Sequence, residues 1–357
     1  MKRYIFGAGI QGKAFLSALS KSDVNVDGFV DSFSSANTCL GLPIVKPEEL
    51  NDKRCELLIS VGLISHAIKS RMVSEGFTRC LDFTQSVLTY PGIIHELKTK
   101  SMWWHDNLEE RLNLKRINEF KSLLSDTKSV ELLEQIVRFR TAFKPEDYVI
   151  PQLEETQYFP SDVDVLGTLD DIRFVDAGAF TGDTLKALWK KKKNRRVSGI
   201  ACFEPDNHNI KKLQETARSL DISRNLYIYP TGVWSTMALL SFDSCVGSSS
   251  AITESGGNTT IPVVSLDDSV YHMAPNFVKM DIEGAEYNAL HGAKKIIKDF
   301  TPVLAISLYH KPQDLWEIPL LIREYCDNYD MHIRVYGDML LETVLYCIPK
   351  KLGHKRS

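Results

Sequence analysis

The densest group of chemically useful side chains lies in Val278-Lys279-Met280-Asp281-Ile282-Glu283-Gly284-Ala285-Glu286. Side chains alternate along a strand, so a strand here puts Lys279, Asp281 and Glu283 on one face. Three charges on a buried strand are costly unless they pair or act on a ligand. A Lys279–Glu283 ion pair is the plain alternative to a catalytic role, and Glu286 falls at a helix start, where a carboxylate suits the dipole. A second apolar stretch, LAISLYH, ends at Tyr309-His310 before Lys311-Pro312. A histidine at the carboxyl end of a strand can act as a general base near neutral pH, or be an ordinary loop residue. Asp281, Glu283 and His310 also carry metal-ligating groups. No HxH or HExxH spacing accompanies them, and no metal is expected.

Upstream, Asp176-Ala177-Gly178-Ala179-Phe180-Thr181-Gly182-Asp183 follows the stretch IRFV. This turn lacks the GxGxxG spacing that brings backbone against a pyrophosphate. Its flanking acids, Asp176 and Asp183, would repel a phosphate and suit a cationic head such as an ammonium group. The next strand ends in Phe203-Glu204-Pro205, where a carboxylate can accept hydrogen bonds from both hydroxyls of a ribose. A ribose with a cationic amino-acid tail and no phosphate describes S-adenosylmethionine. The plain alternative is a turn with solvated carboxylates.

The elements that must hold these residues alternate between apolar strands and amphipathic helices from about residue 169 to the end. That pattern predicts an α/β domain, residues 169–357, with a mostly parallel sheet and an antiparallel hairpin at its edge, HIRVYGD with ETVLYCIPK. A smaller Rossmann-like domain is expected at residues 1–90. There the strand RYIF runs into Gly7, Gly9 and Gly12, a helix follows, and a second strand ends at Asp31, the pattern of a dinucleotide-binding fold. Such a turn could hold an NAD-like nucleotide or a nucleotide-sugar, or be kept for packing. Residues 91–168 read as a helical linker region, with Leu108, Leu112, Ile117, Phe120 and Leu124 near one face. The Met102-Trp103-Trp104-His105 cluster there reads as packing or a contact surface. The Ser/Gly-rich stretch 244–257 reads as a loop that could cover an acceptor.

The 357 residues are 43% apolar and 25% charged, which excludes disordered and low-complexity classes. A net charge of −3 argues against nucleic acid as a partner. Seven cysteines without a CxxC pair favour a reducing, cytoplasmic setting. No run of 18 apolar residues occurs, so no transmembrane segment is expected. The basic run Lys190–Arg196 and the tail KKLGHKRS read as solvated, or as a peripheral contact with an anionic membrane surface.

The order VDAGAFTGDT, CFEP, GVW, VSLDD, FVKMDIEGAEYNALHGA and PVLAISLYHKP resembles the FkbM-type methyltransferases, a branch of the class I S-adenosylmethionine-dependent fold. The resemblance covers roughly residues 155–350, including QYFPSDV. It implies that Asp176, Gly178 and Gly182 line the methionine end and Glu204 the ribose. Ala177, Ala179, Thr181, Pro205 and Gly232 complete the expected cofactor set. Ser265-Leu266-Asp267 matches the family's Thr-Leu-Asp block with serine in first place. Where the family often has a glutamate after the fifth strand, this chain has Ser307-Leu308-Tyr309-His310, which leaves the base open. His310 is preferred as base and Asp281 as orienter, with Glu283 and Lys279 as further catalytic candidates. The implied reaction is O-methylation of a sugar, glycan or natural-product hydroxyl, as in polysaccharide biosynthesis. The competing readings are an NAD-linked or nucleotide-sugar enzyme working through residues 1–90, and a non-catalytic cofactor-binding module.

Overall fold

Short apolar strands alternate with amphipathic helices to build a mostly parallel sheet in each of two units. The computed structural model describes residues 1–100, 112–167, 169–243, 251–253 and 259–350. The chain divides into two units, one of Met1–Arg111, Glu131–Leu153 and Val335–Leu341, the other of Leu112–Val130, Glu154–Arg334 and Glu342–Ser357. Residues 91–168 are shared between the two units. Their apolar helix faces find partners in different places: Gly92–Lys100 packs on Ile10–Lys21, and Leu114–Lys121 packs on Asp314–Tyr325.

The first unit contains β1 (Arg3–Phe6), β2 (Gly28–Val30), β3 (Thr38–Cys39), β4 (Leu42–Val45), β5 (Glu56–Ile59) and β6 (Arg79–Leu81), in the order β3-β4-β2-β1-β5-β6. All pairings are parallel except β3 with β4. The glycine turn after β1 is set by packing. A Cβ on Gly12 would lie 1.9 Å from the Gly7 carbonyl oxygen, and Gly7 itself has φ +100°. Gly9 faces open space instead. The Asp31 carboxylate accepts from the backbone N–H groups of Ala8 (3.0 Å), Phe33 (2.8 Å) and Ser34 (2.8 Å), tying the loops after β1 and β2 together.

Within this unit Asp338 is buried, and its Oδ1 accepts from the hydroxyls of Thr84 (2.5 Å) and Tyr148 (2.7 Å). Burial pushes its carboxyl up to about 6. The folded state therefore holds this proton more tightly than the unfolded chain, whose value is 3.8. The group contributes stability below the unfolded value and loses it as pH rises through about 6. The expected result is that Asp338→Asn flattens the fall in melting temperature across that interval. An unchanged slope in thermal melts would assign the dependence to other groups.

The second unit carries β7 (Asp171–Ala177), β8 (Arg196–Phe203), β9 (Leu226–Tyr229), β10 (Gly232–Val233), β11 (Ala238–Asp243), β12 (Ala251–Thr253), β13 (Thr259–Val264), β14 (Phe277–Met280), β15 (Val303–Ser307), β16 (Tyr329–Val335) and β17 (Thr343–Pro349). Seven of these form a sheet in the order β16-β17-β15-β14-β7-β8-β9. β7 pairs in parallel with β8 on one side and β14 on the other, whereas β17 runs antiparallel to β15. β14 and β15 are buried along their whole length, as central strands covered on both faces must be. The stretch NLYIYPTGVW, which reads as one strand, breaks at Pro230-Thr231. Proline has no N–H for the ladder, and β10 leaves to pair with β13 in a second, four-stranded sheet. β11 and β12 also belong to that sheet. Residues 244–250 and 254–258 lie outside the described residues, as do Met102–His105 and the tail after Lys350; the covering-loop reading falls largely there.

Candidate active site

Ligands of an open parallel sheet sit beyond its carboxyl ends where the strand order reverses. In the second unit that point lies between β7 and β14. The turn after β7 is tight because two glycines take left-handed backbone, Gly178 (φ +79°) and Gly182 (φ +82°). A Cβ on Gly178 would stand 1.9 Å from the carbonyl oxygen of Asp281. Gly178→Ala is accordingly expected to push the two loops apart and abolish adenosyl-cofactor binding, read by calorimetry. Retained affinity would mean that the turn does not line the cofactor.

Glu204, 6% exposed, closes this turn from the end of β8. Its Oε2 accepts from the Phe180 N–H at 2.9 Å, and its Oε1 from the Asp206 N–H at 2.9 Å and the Asn209 side chain at 3.3 Å. Burial raises its pKa against these bonds. The Gly178 and Ala179 N–H groups both donate to the Phe203 carbonyl at 3.0 Å. The Thr181 carbonyl takes the Thr216 hydroxyl at 2.8 Å, and Pro205 sits in the turn between Glu204 and Asp206. Ala177 is the buried last residue of β7. Gly232 lies on β10, where an added Cβ would meet Val263 at 3.1 Å.

Lys279 does not pair with Glu283. The β7–β14 register sets Lys279 beside Asp176, and its ammonium lies 3.1 Å from that carboxylate. It also donates to the Gly178 carbonyl at 2.6 Å. Both charges are almost wholly buried, so Lys279 braces the glycine turn from beneath and is withdrawn from any acceptor. Burial pushes Asp176 up to about 6, even with Lys279 opposing it.

β14 ends at Met280, so strand alternation does not reach Glu283. Glu283 (φ +54°) and Gly284 (φ +91°) turn the chain back, and the Ile282 N–H donates to Glu286 Oε1 at 2.7 Å. His310 enters from the loop after β15. Its Nδ1 lies 2.9 Å from Glu286 Oε1, and its Nε2 lies 3.4 Å from Glu283 Oε2 and 3.5 Å from Asp281 Oδ1. Burial alone would lower its pKa; the charges of Glu286, Asp281 and Glu283 outweigh it and raise the imidazole to about 10. Burial, reinforced by Asp281 and Glu286 against the opposing charge of His310, pushes Glu283 up to about 7. Asp281 is held low despite burial, by Lys279, His310 and a hydrogen bond from Tyr158. These charges favour the protonated imidazole at His310 and the ionised carboxylate at Asp281.

Several partners escape sequence reasoning. The Tyr158 hydroxyl donates to Asp281 Oδ2 at 2.8 Å. The Tyr309 hydroxyl reaches Asp281 Oδ1 at 3.2 Å and Glu342 Oε1 at 3.3 Å. Gln157 donates to the Tyr158 hydroxyl at 3.1 Å and also to Glu342. Tyr158 lies in the QYFPSDV block, which is visible as a matching segment but carries no spacing signal. In the VSLDD block, Asp267 accepts the Lys295 and Ile296 N–H groups at 2.9 Å and so anchors the start of the helix Lys294–Phe300.

A parallel sheet with one reversed strand between its last two, a glycine turn after its first strand and an acid after its second has the class I methyltransferase arrangement. Residues 176–338 match the family model described as the Methyltransferase FkbM domain. Among solved structures, the chain is similar to Methyltransferase FkbM from Methylobacillus flagellatus KT. The identity is 24%, over 97% of this chain and 90% of that one, with a TM-score of 0.64. An rRNA methylase from Streptococcus thermophilus (12% identity, 51% of this chain and 89% of that one, TM-score 0.32) overlays only about half of it. The precorrin-6y C5,15-methyltransferase from Geobacter metallireducens GS-15 does likewise (12% identity, 52% and 82%, TM-score 0.32). Those two scores are too low to establish a shared fold. No curated protein sequence matches the chain.

Proposed function

We propose that the second unit transfers a methyl group from S-adenosylmethionine to a hydroxyl oxygen of a sugar, glycan or natural product. The observation that carries this reading is the glycine turn folded onto Glu204 and braced by the Asp176–Lys279 pair, beside an acid-rich cluster at the same sheet edge. Asp176 fits such a donor from beneath the turn, and the Gly178 cradle leaves no room for a side chain. Of the roughly four acceptor sites of a carboxylate, Glu204 has one left on Oε2 for a ribose hydroxyl, and a second opens when the long 3.3 Å bond from Asn209 is given up. When bound, the donor supplies an electrophilic methyl carbon on a sulfonium, so the protein's main task is orientation, which can supply on the order of 7–11 kcal/mol. Asp281, fixed by Tyr158 and Tyr309, takes the hydroxyl proton, and His310 and Glu283 shape the acceptor side. The placement of Lys279 gives it a supporting role.

Calorimetric titration with S-adenosylhomocysteine, NAD and a nucleotide-sugar, each alone, tests the reading. Micromolar adenosyl-cofactor binding followed by transfer of labelled methyl to a hydroxylated acceptor is the expected result. A nicotinamide or nucleotide-sugar signal alone, lost in Gly9→Val, would move the activity to residues 1–90. Among the described residues no helix is long and apolar enough to cross a membrane.

A further inference from the structure

We propose that Asp281, Glu286 and His310 form a binding site for one divalent cation, against the expectation drawn from local spacing. Each offers one donor atom, and the three atoms lie within 4.8 Å of one another. They come from the loop after β14, the helix Glu286–His291 and the loop after β15. Topology rather than a short motif assembles them, so no HxH or HExxH pattern marks the site.

Hydrogen bonding within the cluster is incomplete. Glu286 is wholly buried; its Oε1 takes the Ile282 N–H, but its Oε2 has no hydrogen-bond partner. The Nε2 of His310, a side chain 7% exposed, also lacks one, facing Asp281 and Glu283 at 3.5 and 3.4 Å. Buried polar atoms left in this state call for an explanation, and a cation among them supplies one. Charge points the same way. Three carboxylates surround one imidazole, and the nearby ammonium of Lys279 is committed to Asp176. Carboxylate oxygens with one imidazole suit Mn²⁺, Zn²⁺ or Co²⁺, with Mg²⁺ as the harder alternative. Glu283, on the more exposed side, is a fourth donor. The site coincides with the one assigned to methyl transfer but does not depend on that reading, because cation binding is measured with neither substrate present.

The test uses the full chain, freed of metal by a chelator and titrated with Co²⁺. The expected result is one equivalent bound, with visible ligand-field bands and a hyperfine-shifted, exchangeable imidazole N–H resonance. His310→Ala and Glu283→Gln should each weaken binding by about 10–100-fold. Thermal melting of the same samples shows whether each variant keeps its fold, and calorimetry with S-adenosylhomocysteine reads the adenosyl site separately. If a variant loses its fold, the imidazole resonance of the unmodified protein decides. Absence of saturable binding, binding without that resonance, or unchanged affinity in both folded variants would overturn the proposal. Loss of adenosyl binding with Co²⁺ still held would sink the methyl-transfer reading and leave the cation site standing.

Discussion

Glu204→Ala is expected to weaken S-adenosylhomocysteine binding by about 10²–10⁴-fold. The proposed ribose contacts are two hydrogen bonds to a charged acceptor, at about 1.5–3 kcal/mol each, and each 1.4 kcal/mol is about tenfold. The substitution also frees the Phe180 and Asp206 N–H groups, so the glycine turn loses its tie to the end of β8. Glu204→Gln separates these effects. The amide keeps one acceptor oxygen and one backbone bond, and should lose less affinity than alanine. Calorimetry on both variants, with thermal melting as a check on folding, makes the comparison. Equal affinity in all three proteins would remove Glu204 from the donor site.

Asp281→Asn is expected to slow methyl transfer by about 10²–10⁴-fold, the range for loss of a positioned general base. S-adenosylhomocysteine affinity should change little. The amide cannot take the acceptor's proton, yet it keeps the shape that Tyr158 and Tyr309 hold. Tyr158→Phe should show a smaller loss of rate, because it releases Asp281 from one of its hydroxyl donors without removing the carboxylate. Single-turnover rates with labelled donor distinguish these cases. If His310→Ala slows transfer by that much while Asp281→Asn is nearly silent, the imidazole is the base after all.

Much of the architecture is legible because parallel sheets leave strong marks: continuous apolar strands, helices between them, and acids or glycines where strands end. Strand ends mark Asp176, Gly178, Glu204 and Asp281 as candidates in that way. Lys279 could be placed on its strand but not paired, because its partner is set by the register between β7 and β14 and not by spacing along one strand. Strand alternation predicts Glu283 on the face of Lys279. The strand stops at Met280, and a left-handed turn re-aims the residue. Tyr158, Tyr309 and Glu342 are hardest to see, since residues far apart in the chain meet only when the sheet is formed. Glu286 looked like a helix-start carboxylate and is one, but its burial beside His310 comes from tertiary packing.

The discontinuity of the first unit has a consequence for how the protein is made. Asp338, which caps the hydroxyls of Thr84 and Tyr148, belongs to a short segment near the far end of the chain. A ribosome adding about 5–20 residues per second takes roughly 10–40 s to travel from Leu153 to Asp338. During that interval the nascent first unit lacks its last piece, and Tyr148 and Thr84 have no carboxylate to meet. A chain cut after Leu153 would stay in that unfinished state, prone to capture by chaperones or proteases. Supplying Val335–Leu341 as a graft should rescue it.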